Sequence, residues 1–264
     1  MGPVQAVFVS LQAGKYSSGP TRPARKPFPP ENNRALAAVT ALPTVSDTRV
    51  LPTLAVSGVA CRRGDRLLFE QLDFDVGPGQ IVWVRGRNGQ GKTSLLRLLA
   101  GLATPAAGQL SWGGEPLRVA GPAFQRRLVY LAHANALKED LSVAESLRFL
   151  ARLHGQDHET QALDDALQLM GLHSRRDAPV RTLSQGQRRR VALARLLVAP
   201  AASLWVLDEP YDALDAEASA VLDEVLAAHA LRGGSVVLTS HLPLAITRPA
   251  PRVIELGVAT AVAA

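Results

Sequence analysis

The stretch GRNGQGKTSLLRLLAGL, Gly86–Leu102, decides how the rest of the chain is read. It spaces Gly86, four residues, Gly91, Lys92 and Thr93 as a phosphate-binding loop does. Ahead of it QIVWV (Gln80–Val84) reads as a buried strand, and behind it Leu95, Leu98, Leu99 and Leu102 recur on one face of a helix. Between strand and helix, glycines let backbone N–H groups converge on phosphate oxygens, and the helix N-terminus adds its partial positive charge. In this reading Gly86, Arg87, Asn88, Gly89, Gln90, Gly91, Lys92, Thr93 and Ser94 cradle a nucleotide. Lys92 reaches its β- and γ-phosphates and the Thr93 hydroxyl ligates Mg2+.

Upstream, LDFDV (Leu72–Val76) alternates apolar and acidic residues as a half-buried strand does, and GPG (Gly77–Gly79) turns the chain toward QIVWV. From Met1 to Pro52 the chain is rich in Pro, Ser, Arg and Ala without period, which predicts a disordered extension over 1–52. It has no apolar stretch of the kind a secretory signal needs, and no function is assigned to it.

Composition narrows the function classes. Of the formal charge of +6, a net +4 sits in the first 50 residues, where Lys15, Arg22, Arg25, Lys26, Arg34 and Arg49 face only Glu31 and Asp47. The remainder is nearly neutral, so no nucleic-acid partner is expected. A single cysteine, Cys61, excludes an intramolecular disulfide and an all-cysteine metal site. The longest apolar run, about Leu196–Leu207, is interrupted by Pro200 and falls short of the roughly 20 residues that cross a bilayer.

Downstream, SVAE (Ser142–Glu145) is a capping box ahead of a helix carrying Leu147, Leu150 and Leu153. A second helix, about His158–Met170, is closed by Gly171. SLWVL (Ser203–Leu207) and SVVLT (Ser235–Thr239) read as buried parallel strands joined by a helix with Val221, Leu222, Val225 and Leu226. The first ends in Asp208 and Glu209, two carboxylates at the carboxyl edge of a sheet, where ligands bind in open α/β folds. Asp208 holds Mg2+ and Glu209 polarises the attacking water in this reading. The second strand is followed by Ser240 and His241, which place an imidazole near a γ-phosphate.

In LSQGQRRRVALARLL (Leu183–Leu197), Ser184 and Gly186 precede a helix with Val191, Ala194 and Leu197 on one side, a second phosphate-seeking helix terminus. One nucleotide does not need two such sites in one monomer, so a head-to-tail dimer is expected. Arg188, Arg189 and Arg190 are read as a solvated helix face, with a nucleic-acid patch as the minor alternative.

In this combination and order, the chain resembles the nucleotide-binding subunit of an ATP-binding-cassette (ABC) transporter over roughly Leu54–Leu256. The resemblance implies an α/β P-loop NTPase with a mainly parallel sheet core, an N-terminal antiparallel β part and a small α-helical subdomain at about 142–197, within one domain spanning 53–260. It implies ATP and Mg2+ as ligands, Glu209 as catalytic base, His241 as γ-phosphate switch and Asp215, in ALD (Ala213–Asp215), in the loop linking the two ATP sites. Leu183, Ser184, Gln185, Gly186 and Gln187 form the signature that contacts the partner copy's ATP. The family's adenine-stacking aromatic, expected just before Leu67, is missing from CRRGDR, which leaves an arginine plane as the candidate.

At the position where the family has a Mg2+-ligating glutamine, LVYLAH supplies His133. That departure is similar to one branch, the ATP-binding subunit of the haem exporter of cytochrome c maturation. YLAHANALKEDLSVAESLRFL keeps that branch's Lys138, Leu141, Glu145 and Leu147, while Ala132, Ala136 and Ser146 replace its usual Gly, Gly and Asn. The branch implies integral membrane transporter subunits, an indirect haem-handling chaperone and a peripheral place on the cytoplasmic face of the bacterial inner membrane. Whether His133 ligates Mg2+ or only permits slow turnover stays open, and a cassette for lipid, peptide or metal is the alternative. A soluble cassette acting on DNA or ribosomes is disfavoured, because Lys92 and Ser184 lie 92 positions apart, with no room for a long coiled coil, and because the chain has one cassette.

Overall fold

The computed structural model of the chain describes residues 51–153, 160–199 and 202–257. Apart from residues 51 and 52, the expected extension lies outside them, as do His158 and Pro200. Two strands, β1 (Leu54–Arg63) and β2 (Arg66–Val76), form an antiparallel hairpin that pairs Arg63 with Arg66. In β2, Leu72 and Phe74 are half-buried while Asp73 and Asp75 face outward, as the alternation requires. β4 (Ala107–Trp112) and β5 (Glu115–Pro116) complete an antiparallel sheet ordered β2-β1-β4-β5.

The second sheet is parallel throughout and ordered β6-β7-β8-β3-β9. Its strands are β3 (Ile81–Arg85), β6 (Leu128–Leu131), β7 (Leu204–Leu207), β8 (Ser235–Thr239) and β9 (Arg252–Glu255). Every residue of β7 and β8 is buried, because both faces of the sheet are covered. Val82, Val84, Val206 and Val237 join a core with Leu54, Val56 and Trp112 of the antiparallel sheet and with α1 (Lys92–Leu99). The alternate positions, Ile81, Trp83, Trp205, Val236 and Leu238, pack on the opposite face against the helices described next. Strand period two therefore assigns successive residues to two cores.

Those helices are α3 (Val143–Leu153), α4 (Thr160–Leu169), α5 (Gln185–Ala194) and α6 (Ala216–Leu231); α2 (Leu117–Arg127) lies between β5 and β6 and is kinked at Gly121, just before Pro122. The Ser142 capping box forms: Ser142 N–H donates to Glu145 Oε2 at 2.8 Å and Glu145 N–H to Ser142 Oγ at 3.3 Å. Gly171 closes α4 with a left-handed φ of 66°. Two apolar expectations fail. Leu102 is 51% exposed because α1 stops at Leu99 and Gly101 turns the chain, leaving Leu95, Leu96, Leu98 and Leu99 as the buried set. Leu153, at the end of α3, is 66% exposed, although Leu147 and Leu150 are buried as expected.

At the far end of α6, His229 stacks on Trp205 with ring centroids 3.6 Å apart and planes 6° apart. A Cβ on Gly234 would lie 2.1 Å from His229 Nε2, so the chain passes the ring only as glycine. Burial, helped by the nearby Arg232 charge, pushes the His229 pKa down from 6.5 to about 3. The folded imidazole stays neutral between those values while the unfolded chain takes up a proton, so stability present above pH 6.5 is lost as pH falls toward 3. The slope is about 1.4 kcal/mol per pH unit. His229→Phe, which keeps a flat ring on Trp205, is expected to remove that slope. Urea unfolding at pH 7, 6, 5 and 4 checks it, and parallel acid loss in variant and wild type would contradict it.

Candidate functional site

The loop between β3 and α1 is built around backbone that must pass close to other groups. Gly91, the N-cap of α1, has φ 97°, and a Cβ there would sit 3.1 Å from both Leu68 Cβ and Phe69 Cε1. Gln90 turns inward, and its Oε1 accepts the Arg87 N–H. Lys92 folds back over the loop, donating to Gly86 O at 2.9 Å and to Asn88 Oδ1 at 3.5 Å. Unlike α3 and α5, α1 has no side-chain cap, so its first-turn N–H groups face the loop mouth, where Thr93 is exposed. A loop of this kind holds an anion through backbone, with Lys92 free to change partners.

Two strands over, beyond β8, β7 delivers Asp208 and Glu209 buried, at 2% and 8% exposure. The Thr239 hydroxyl at the end of β8 donates to Asp208 Oδ1 at 2.9 Å and accepts the Glu209 N–H at 2.8 Å. Asp208 Oδ2 is buried and meets no hydrogen-bond donor among the described residues. A buried acceptor left over beside a phosphate loop fits a divalent cation. Glu209 holds a left-handed φ of 46°, a costly conformation for a side chain with a Cβ. Its Oε2 accepts the His241 N–H at 3.0 Å, and its Oε1 lies 3.4 Å from His241 Nε2. Burial raises the Glu209 pKa above the ordinary carboxylate value, Asp212 adds to the rise, and the His241 and Lys92 charges oppose it. Lys92 is thus close enough for its charge to be felt at Glu209.

His133 is 73% exposed along its side chain, with Nδ1 3.5 Å from Asp212 Oδ2. Asp212 in turn donates its N–H to Glu209 O at 3.1 Å. The structure therefore links His133, Asp212, Glu209 and His241 in one series of contacts, joined to Asp208 through Thr239.

Leu183–Gln187 leads into the first turn of α5. Ser184 caps α5: Gln187 N–H donates to Ser184 Oγ at 3.2 Å and Ser184 N–H to Gln187 Oε1 at 3.0 Å. Leu183 is buried, whereas Ser184 and Gln185 are exposed. These hydrogen bonds close the loop on itself. Gly186 has a packing reason as well, since a Cβ there would fall 2.6 Å from Ala213 O. Asp215 N-caps α6, accepting the Ala218 N–H at 2.8 Å, and lies 3.8 Å from Arg190 Nη2.

The three-arginine run is not a solvated face. Arg189 is 2% exposed, and its guanidinium enters the site from beneath. Nη2 donates to Asp208 O at 2.7 Å and Glu209 O at 2.6 Å, and Nε to Pro210 O at 3.4 Å. Nη1 donates to Ala132 O at 3.1 Å, His133 O at 3.5 Å and Asn135 Oδ1 at 3.0 Å. A planar fork of five donors satisfies strand-end carbonyls that a solvated arginine would leave orphaned. Burial lowers its pKa, countered by Asp212, Asp208 and Glu209. Arg188 pairs with Glu139 at 3.0 Å. Sequence reasoning missed Arg189, Asp212 and Thr239. Arg189 shares a helical stripe with the buried Ala192, Leu193 and Leu196, and Thr239 is the polar residue that follows the apolar run Val236–Leu238, so spacing held a signal for both.

A family model described as ABC transporter matches residues 69–212. The chain is 48% identical over 206 residues to the cytochrome c biogenesis ATP-binding export protein CcmA of Aromatoleum aromaticum, covering 78% of this chain and 96% of that protein. It is also 48% identical over 204 residues to the protein of the same name from Pseudomonas putida, covering 77% and 96%. A solved structure described as a putative ABC transporter ATP-binding protein from Pyrococcus furiosus matches with a TM-score of 0.68 and 26% identity, over 77% of this chain and 97% of that one.

Thr239 is fully buried, and the hydroxyl joins both carboxylate residues. Thr239→Val keeps the shape and strands the Glu209 N–H, at an expected cost of about 1–3 kcal/mol. Thr239→Ser is expected to retain most of that stability. Chemical denaturation of both variants checks this, and equal stability of the Val and Ser proteins would contradict it.

Proposed function

Because the chain belongs to the family of ABC transporter ATP-binding subunits and is an ATPase, we propose that it is the motor of a haem exporter serving cytochrome c biogenesis. Two copies enclose two ATP molecules, hydrolyse them and pass the resulting motion to integral membrane subunits, releasing a haem-loaded chaperone. No helix among the described residues is long and apolar enough to cross a membrane. Its proposed place is therefore peripheral, on the cytoplasmic face of the bacterial inner membrane, held there by those subunits. The kinship with proteins named as cytochrome c biogenesis ATP-binding export proteins supports the cargo.

The observation that carries the chemistry is Glu209, buried, raised in pKa and held by His241 beside an unmatched Asp208 oxygen. ATP phosphates would lie on the N–H groups of Arg87–Ser94, with Lys92 leaving Gly86 O for them. Asp208 and the Thr93 hydroxyl would hold Mg2+, which when bound neutralises phosphate charge and orients the γ-phosphoryl group. Glu209 takes the proton from the attacking water as its oxygen bonds to the γ-phosphorus and the bond to the β–γ bridging oxygen breaks, leaving ADP and phosphate. A base whose pKa is raised toward neutrality suits that transfer. His241 holds Glu209 and would meet the γ-phosphate. The imidazole of His133, with Nδ1 3.5 Å from Asp212 Oδ2, would have Nε2 for a further partner. Leu183–Gln187 of the second copy would close over the γ-phosphate.

Glu209→Gln keeps shape and hydrogen bonding but removes the base. It is expected to hold ATP without turning it over and, as the only copy in cells, to abolish covalent haem attachment to c-type cytochromes at equal expression. An undiminished ATPase rate would remove Glu209 from the base role. Normal haem attachment with the ATPase lost would assign the motor to another cargo.

A further inference from the structure

The helix that carries Ser184 and the residue that carries the catalytic carboxylate are joined by one side chain. Arg189 lies on α5 five residues beyond Ser184, and its six hydrogen bonds all fall on two segments, Ala132–Asn135 and Asp208–Pro210. We propose that Arg189 is a positioning residue for hydrolysis, tying the stance of the signature helix to the backbone of Glu209 and of His133 in the same chain.

Glu209 holds a left-handed φ of 46°, a conformation kept only where the surroundings over-determine it. Three bonds do so: its N–H donates to Thr239 Oγ1 at 2.8 Å, and its C=O accepts from Arg189 Nη2 at 2.6 Å and from the Asp212 N–H at 3.1 Å. Thr239 belongs to the rigid centre of the parallel sheet, whereas Arg189 belongs to α5, whose first turn is the exposed Ser184 and Gln185. The shortest of the three restraints on the carboxylate's backbone therefore moves with the segment proposed to meet the second copy's nucleotide. The other arm of the same fork holds the carbonyls of Ala132 and His133, so the His133 segment is displaced with it. A guanidinium suits this task because its planar fork is stiff: a shift of the helix cannot be absorbed by rotating one bond. Neutral packing would leave those carbonyls unpaired, which accounts for a buried cation here.

This inference rests on the proposed role of Glu209 as base. In the assembled complex, measured with labelled ATP so that slow rates are resolved, Arg189→Met is expected to lower kcat about ten- to a hundredfold, because misplacing a catalytic group by about 1 Å costs that much. KM for ATP is expected to change less than threefold, a loss confined to the transition state. Arg189→Lys, which keeps the charge and three donors, is expected to recover part of the rate. In a Glu209→Gln background Arg189→Met is expected to add no further loss, because both changes act through one carboxylate. Losses that multiply in the double variant, or an unchanged kcat in the single, would overturn the inference. If the Met variant does not fold, Arg189→Lys carries the same cycle with the same two readings. Failure of the underlying reading looks different: Glu209→Gln alone would then hydrolyse ATP at the wild-type rate.

Discussion

Two adjacent carboxylates, Asp208 and Glu209, are buried at the end of β7, an inner strand of the parallel sheet, and the structure around them is arranged to hold them fixed. Burying an anion is costly unless it is paired or hydrogen-bonded. Here the compensation is divided. Thr239 serves one oxygen of Asp208, His241 serves Glu209, and the Arg189 guanidinium supplies positive charge from behind through their carbonyls. One oxygen of Asp208 is left over, without a hydrogen-bond donor among the described residues. The incompleteness is what makes the place a site.

The parallel sheet makes this possible because all its strands end at the same edge. β3 hands over to the phosphate loop, β6 to the segment of His133, β7 to the carboxylates and β8 to Thr239, Ser240 and His241. Covering on both faces fixes each strand in register, so the four loops stand at fixed spacing. The helical part uses the same logic differently. Its α5 presents Ser184 and Gln185 to the outside while its inner face reaches the catalytic strand through Arg189.

Much of this was legible in the sequence because its signals are local. Glycine spacing, the Ser142–Glu145 capping box, unbroken apolar strands and a strand ending in Asp-Glu are each contained in fewer than about 20 residues, and the elements they predict are present. Leu102 and Leu153 misled because an apolar residue at helical spacing tells which face it shares, not where the helix stops or what covers it. Arg189 misled for another reason. Three arginines in a row read as surface, yet the carbonyls that bind the middle one come from strand ends 19 to 57 residues away. The same distance hid Thr239 and its tie to Asp208, 31 positions off.

Hydrolysis in a site shared between two copies, as proposed, brings the phosphate loop of one copy against the start of α5 of the other. Cys61 is the single, buried thiol of the chain, so a Cys61→Ser background permits placed thiols. Copies carrying Asn88→Cys, at the exposed phosphate loop, can be mixed with copies carrying Gln185→Cys, at the exposed start of α5, and treated with a short thiol cross-linker. A cross-linked pair is expected to form with ATP and not without it. Equal cross-linking in both conditions, or none with ATP bound to both variants, would contradict it.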